Sequence, residues 1–252
     1  MADLTGRNAL VTGGGRGIGR AIALALASAG ANVAINYTRH PETADDTVAA
    51  LQRLGRTASA YRADISSYEA CQVMVQQVLA DFGYIDILVN NAGIASRGNT
   101  IVDTDPEEMR RVVATHAFGS FYMSSLIVPQ MRARPRGDVV MISSDAVQHV
   151  AARGAPYNMA KSAQEAVACT LAKEERAHGI HVNVVAPGVV ETEMGTRLMK
   201  ARGVTDMRTL DASSPFGRVC QPEDIAPAVV FLCSEQATYV TNQRITVNGG
   251  GF

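Results

Sequence analysis

Neither sign of charge is in excess in this chain: 23 basic residues stand against 24 acidic ones, a formal net charge of −1. Binding along a phosphate backbone needs a clustered basic surface, so nucleic acid is excluded as the main partner. Long apolar runs are missing as well. No uninterrupted stretch approaches the roughly 18 residues of a spanning helix. The opening Met1-Ala2-Asp3-Leu4-Thr5-Gly6-Arg7 lacks the basic-then-apolar layout of a secretory signal. The four cysteines, Cys71, Cys169, Cys220 and Cys233, stand far apart with no CxxC and no zinc spacing. They read as scattered buried thiols, and no metal is expected. Low-complexity linkers and internal repeats are absent. Together these absences predict a soluble, cytoplasmic protein of a reducing compartment with no membrane partner.

What remains is an ordinary globular composition, 47% hydrophobic and 19% charged over 252 residues. A rhythm recurs along it: a short β-branched run, a turn, then an Ala/Leu-rich stretch of helical length. The spacing predicts strands at Asn8–Thr12, Asn32–Tyr37, Thr57–Ala63, Ile85–Asn90, Asp138–Ser143, His181–Val185 and Gln243–Val247. Helices are predicted at Gly19–Ala29, Pro41–Leu54, Tyr68–Phe82, Pro106–Arg132, Pro156–Ala177 and Pro222–Cys233. Runs such as Asp86-Ile87-Leu88-Val89 and Val139-Val140-Met141-Ile142 do not alternate, as suits strands covered on both faces. The expectation is a single α/β domain over 1–252: a doubly wound parallel sheet with helices on both faces. Ligands of such a sheet sit beyond the carboxyl ends of its strands. Residues Gly188–Arg218 break the rhythm, and a long mixed segment of that kind reads as a substrate loop.

After the first strand comes Thr12-Gly13-Gly14-Gly15-Arg16-Gly17-Ile18-Gly19, then a helical run. The pattern is TGxxxGxG rather than GxGxxG. Glycines here let the backbone turn tightly and approach a pyrophosphate, while the helix N-terminus offers N–H groups and positive potential. A glycine cluster alone is also compatible with a flexible turn; a strand before it and a helix after it favour a dinucleotide site. Such sites often carry an acid at the end of the second strand for the ribose 2′-hydroxyl. Here that strand runs out through Tyr37, Thr38, Arg39 and His40, with no acid. Arg16 and Arg39, one at each turn, suit a 2′-phosphate and favour NADP(H), with NAD(H) still open; each also fits a solvated loop charge. Asp64 fits either an acceptor for the adenine amino group or a helix cap. Asn90-Asn91-Ala92-Gly93 either lines the cofactor and buttresses neighbouring strands or forms an ordinary turn.

Strand five ends in Ser143-Ser144, and thirteen residues after Ser144 stands Tyr157, followed by Asn158-Met159-Ala160-Lys161. Residues four apart share a helical face, so the phenol and the ammonium can meet in one site. A phenol ionises near about 10 and is a poor acid–base catalyst at neutrality. A nearby ammonium, with a cationic oxidised nicotinamide, favours phenolate and pulls that value down. Tyr157 can then exchange a proton with a carbonyl or alcohol, with Ser144 hydrogen-bonding the same oxygen. YxxxK alone is commonplace; its order behind Ser144 gives it force.

In TGGGRGIG at 12–19, Asp64-Ile65, NNAG at 90–93, Ser144, YNMAK at 157–161, APG at 186–188 and the tail 247–251, the chain resembles the short-chain dehydrogenase/reductase superfamily. The resemblance implies a Rossmann-type fold, with Tyr157 as acid/base, Lys161 tuning it and binding the nicotinamide ribose, and Ser144 positioning the carbonyl. It places Val190 and Thr192 at the nicotinamide carboxamide. Further cofactor contacts are expected from Gly13, Arg16, Gly17, Ile18, Gly19, Thr38, Arg39, Asp64, Ile65, Asn91 and Gly93. It also implies a homotetramer. One position departs from the pattern: His116 stands where the family usually has an Asn that holds a water in a proton relay. An imidazole can do the same work, or it can be a packed core histidine that leaves the relay broken.

Within the superfamily the chain is most similar to the 3-oxoacyl-acyl-carrier-protein reductases, through Val33–Tyr37, Val182–Thr192 and Gly217–Cys233. Arg132, Arg134 and Arg136 fit a carrier-protein contact less well than a solvated helix end. Met194, Leu198, Met199, Met207, Leu210 and Phe216 suit a partly apolar ligand. The expected activity is NADP(H)-dependent interconversion of a ketone and a secondary alcohol, with a 3-oxoacyl thioester as one such ketone. The alternatives are a sugar or secondary-alcohol dehydrogenase using NAD(P), and a catalytically silent nucleotide-binding sensor on the same fold.

Overall fold

The computed structural model describes residues 2–201 and 203–250; Gly251 of the C-terminal glycine run lies outside them. In chain order the main elements are β1 (Asn8–Val11), α1 (Gly17–Ser28), β2 (Asn32–Tyr37), α2 (Pro41–Arg53), β3 (Ala58–Arg62), α3 (Tyr68–Phe82) and β4 (Ile87–Asn90). After them come α4 (Pro106–Val113), α5 (Gly119–Met131), β5 (Gly137–Ile142), α6 (Ala146–His149), α7 (Ala155–Glu175), β6 (Ile180–Pro187), α8 (Glu193–Ala201), α9 (Pro222–Leu232) and β7 (Arg244–Val247).

The strands form one sheet in the order β3-β2-β1-β4-β5-β6-β7, every neighbouring pair parallel. The order reverses beside β1, which pairs β2 on one side and β4 on the other. That is the switch point where a doubly wound sheet opens its crevice. The absence of alternation in the strand runs has its expected cause. Val11, Val33 and Ile87 face one apolar cluster with α1 and α9, while Leu10, Leu88 and Val139 face another with α3, α5 and α7. The central strands are therefore apolar on both faces.

Three expectations need correction. The predicted helix Pro106–Arg132 is interrupted by a π-helical turn at Ala114–Phe118, centred on His116. A π turn adds one residue to the helical repeat and is typical of functional positions. The stretch 106–131 is long and apolar enough to cross a membrane, but half its most apolar window is buried inside the fold, and α4 and α5 pack on α7. Second, the irregular segment after Gly188 contains α8 and two short 3₁₀ turns, Met207–Ser213 and Pro215–Gly217. Met199, Met207 and Val219 close a small core of their own there, with Leu198 and Leu210 against it, so these side chains are not free to line a ligand. Only Met194 and Phe216 of the expected apolar set are exposed. Third, the cysteines are not uniformly buried, since Cys169 is exposed and Cys220 half-buried.

Candidate active site

The glycine turn follows from where β1 ends. Gly13 and Gly17 adopt left-handed φ values of 64° and 52°, which a side chain would strain. A Cβ on Gly19 would sit 2.3 Å from the Gly13 carbonyl oxygen, so the first turn of α1 packs directly on the loop before it. Arg16 occupies the N-cap in extended conformation without a side-chain cap bond, and no acid stands in the first turn. The leading N–H groups of α1 are thus left for an anion, and the turn fits a dinucleotide diphosphate. Ile18 is half-buried against the first core.

The NNAG segment buttresses the neighbouring strands rather than forming an ordinary turn. Asn91 Nδ2 donates to the Thr12 carbonyl at 2.8 Å and the Gly13 carbonyl at 3.2 Å, while the Thr12 hydroxyl accepts from the Asn91 and Ala92 N–H groups at 3.0 Å. The end of β4 thereby braces the glycine turn, and Asn91 serves the crevice through structure. Asn36, which the sequence reading passed over, does the same from β2: it donates to the Tyr61 and Ala63 carbonyls at 3.3 and 3.0 Å and accepts from Gly13 N–H at 3.4 Å. Nothing in its immediate sequence distinguishes it from any strand-terminal Asn.

At the far turn, Thr38 donates to the Ala63 carbonyl at 3.2 Å. Arg39 is exposed and, among the described residues, carries no ion pair or side-chain hydrogen bond. Arg16 pairs with Glu193 at the start of α8. Asp64 accepts from the Ser66 N–H and hydroxyl at 3.0 and 2.7 Å, whereas the side chain capping α3 is that of Ser67. The cap reading for Asp64 is thus replaced by a local turn. Ile65 is buried, with its side chain against Gly119. Val190 is buried and bridged to Cys220, and the Thr192 methyl lies over the Gly17 turn. The three arginines near the end of α5 are committed: Arg132 to Glu175, Arg134 to Asp86, and Arg136 to Asp138. They form structural pairs rather than a solvated helix end or a free basic patch.

Ser144 lies just past β5, and Tyr157 and Lys161 lie one turn apart on α7, so strand end and helix meet at the crevice. The Lys161 Nζ stands 5.8 Å from the Tyr157 ring centroid. It donates to the Ile142 carbonyl at 2.5 Å and to Gln164 Oε1 at 2.9 Å. Burial pulls its value down to about 7, against a raising influence from Glu165. Burial likewise pushes Tyr157 up to about 12, with the Ser144 hydroxyl lowering it and Asp145 raising it. Among the chain's own groups, desolvation of the phenol outweighs the lowering by Ser144. The ammonium is turned onto backbone and amide oxygens, and desolvation dominates.

His116 is 1% exposed, its ring edge-on to that of Tyr157 with centroids 5.2 Å apart. Nε2 lies 2.8 Å from the Ile94 carbonyl oxygen and 3.1 Å from the Ile94 backbone nitrogen, so the Ile94 backbone offers this ring nitrogen both an acceptor and a donor. Nδ1 has no partner among the described residues. Burial, then the Lys161 charge, hold the ring down to about 3, so it is neutral at physiological pH, with one ring nitrogen protonated and the other bare. Nδ1 is therefore the ring nitrogen open to the hydrogen bond that a relay would need. The ring also dictates its neighbour: a Cβ on Gly93 would fall 2.3 Å from His116 Cε1. Glu165 and Arg244, which no local motif marks, prove to touch the Ser143-Ser144 strand end.

The chain is similar to known proteins along nearly its whole length. The family profile described as enoyl-(acyl carrier protein) reductase matches residues 13–251. An acetoacetyl-CoA reductase of Rhizobium meliloti is 39% identical over 246 residues, 98% of each chain. A 3-oxoacyl-(acyl-carrier-protein) reductase FabG of Staphylococcus aureus is 37% identical, again across 98% of both chains. Among solved structures, a 3-ketoacyl-(acyl-carrier-protein) reductase from Brucella melitensis complexed with NADH matches with a TM-score of 0.90 at 31% identity, covering 98% of this chain and 99% of that one.

Proposed function

The chain belongs to the short-chain dehydrogenase/reductase family and is a nicotinamide-dependent oxidoreductase of carbonyl and alcohol substrates, and from that premise we propose that it is an NADPH-dependent reductase of short 3-oxoacyl thioesters. The observation that carries this reading is the convergence of Ser144, Tyr157 and Lys161 at the carboxyl end of β5, beside a glycine turn with an uncapped helix N-terminus. The two most similar relatives described above bear the names of 3-oxoacyl thioester reductases, which favours that substrate class.

A nicotinamide dinucleotide held by its diphosphate at the glycine turn would supply or accept the hydride. The chain's own groups do the rest. With its value up at about 12, Tyr157 is a phenol across the neutral range, the form needed to give a proton to a developing alkoxide. Ser144 donates to the same oxygen and aims it at the phenol. Lys161 has two of its three N–H donors committed to Ile142 and Gln164, so one is left for the ribose and the phenol side. Val190 and Thr192, over the Gly17 turn, serve the carboxamide, and the segment 188–218 closes over the substrate.

Preference for NADPH rests on the missing acid at the end of β2 and on Arg39, exposed there with no ion pair among the described residues. Arg16 joins it by exchanging Glu193 for the 2′-phosphate. Cytoplasmic homotetramers are the expectation from the family alone. The test is turnover of NADPH and NADH with an acetoacetyl thioester, a diketone and a keto-sugar. Fastest turnover of the thioester with NADPH supports the reading. Preference for the keto-sugar with NADH establishes the sugar-dehydrogenase alternative instead.

A further inference from the structure

We propose that Glu165 and Arg244 form a clamp that sets Ser144 and Lys161 against Tyr157, and that both are positioning residues for the hydride-transfer reaction; this rests on the reading of the site just given. Arg244 stands on β7, two strands away from β5 in the sheet. In the register of the ladder, Met141, Val184 and Arg244 lie abreast across β5, β6 and β7. From there the guanidinium reaches past β6 to the end of β5. Its Nη2 donates to the Ser144 carbonyl at 2.9 Å, and its Nε meets the Glu165 oxygens at 3.0 and 3.2 Å. Nη1 donates to Thr246 Oγ1 at 2.6 Å, which fixes the plane of the fork.

Glu165 completes the grip. It lies four residues after Lys161 on α7, on the same helical face. Its Oε1 also accepts from the Ser143 hydroxyl at 2.6 Å. Two consecutive residues at the strand end are therefore held from one ion pair: Ser143 by its side chain, Ser144 by its carbonyl. The helix that carries Tyr157 and Lys161 is held by the same pair. Both side chains are largely removed from water, at 20% and 15% exposure, so the pair is poorly screened. A guanidinium is suited to this task because it bonds in several fixed directions at once, which a lysine cannot do.

The pair also sets the local charge. Lys161 is faced by His116 from the π turn and by Tyr157 and Glu165 from its own helix, with the neutral His116 adding no charge. Glu165 is faced by Arg244 and the Ser143 hydroxyl; Arg244 also acts on Asp145, which faces Tyr157. Removing the carboxylate makes the ammonium harder to keep. Removing the guanidinium leaves the carboxylate uncompensated and has the opposite effect.

The experiment compares E165Q, R244K and R244A with wild-type protein in NADPH-dependent ketone reduction across pH, with NADPH binding measured on each variant. R244A is expected to lower kcat by about 10- to 100-fold through misplacement of Ser144, with the NADPH Kd changed by less than about twofold. R244K recovers little of that loss. The alkaline limb of the profile moves to lower pH in E165Q and to higher pH in R244A, each by about one unit. A pair that only stabilises the fold gives equal losses without opposed shifts, and that result overturns the proposal, as does unchanged kcat in R244A. Tyr157→Phe assayed alongside separates the two readings. If it retains turnover, the assigned reacting set fails; if it is inactive while the clamp variants behave as wild type, only the clamp fails.

Discussion

His116 and Gly93 show how one residue dictates another. The buried ring occupies the space where any side chain at position 93 would stand, 2.3 Å from a Cβ there. Gly93→Ala is expected to destabilise the protein by about 1–3 kcal/mol through overpacking. Combining it with His116→Ala should recover part of that loss, giving a coupling above about 0.5 kcal/mol in urea unfolding. Strictly additive losses would contradict the contact. The titration directions make a second prediction at this scale. Tyr157 is held up to about 12 and Lys161 down to about 7, so raising pH removes the lysine's charge while the phenol keeps its proton. From about pH 6 to about pH 9, ketone reduction should fall as the ammonium is lost. Steady-state reduction rates across that range check this, and a flat profile would contradict it.

Among the elements, the turn from β1 into α1 has the least freedom. A Cβ at Gly19 meets the Gly13 backbone, not a flexible side-chain end, so Gly19→Ala must move the turn itself. NADPH affinity is expected to drop by about tenfold or more, roughly 1.4 kcal/mol. Fluorescence titration reads this directly, and an unchanged Kd would mean that the diphosphate is held elsewhere. Replacing Arg39 by Ala should weaken NADPH far more than NADH, since the guanidinium has no ion pair among the described residues; equal losses would remove it from 2′-phosphate recognition. These elements were legible in the sequence because their signals are local: a glycine spacing, a strand before it, a helix after it. The π turn around His116 was not, because helical periodicity continues through it and only backbone bonding reveals the extra residue. Helix α8 was obscured by its neighbours, whose methionines and threonines carry no single period.

At the scale of the whole molecule, parallel pairing brings residues from distant parts of the chain to one edge of the sheet. Ser144, Tyr157 and Lys161 are close in sequence and were visible as a motif. Arg244, which bonds the Ser144 carbonyl across β6, comes from 100 residues further on and follows from topology alone. The same holds for Asn36 and Asn91, whose roles depend on which strands β1 lies between. The fold therefore gives the recognisable motif a supporting set of bonds that local spacing cannot disclose.

The central claim is that this framework transfers hydride from NADPH to a ketone carbon while Tyr157 supplies the proton. The most direct measurement is reduction of an acetoacetyl thioester with NADPH deuterated on one C4 face at a time, followed by mass spectrometry of the product. The account predicts a 3-hydroxyacyl thioester carrying one deuterium at the carbinol carbon from one face only, and no product with the Tyr157→Phe enzyme. Cofactor binding with the ketone returned unchanged, or product formed equally well without the Tyr157 hydroxyl, would contradict it.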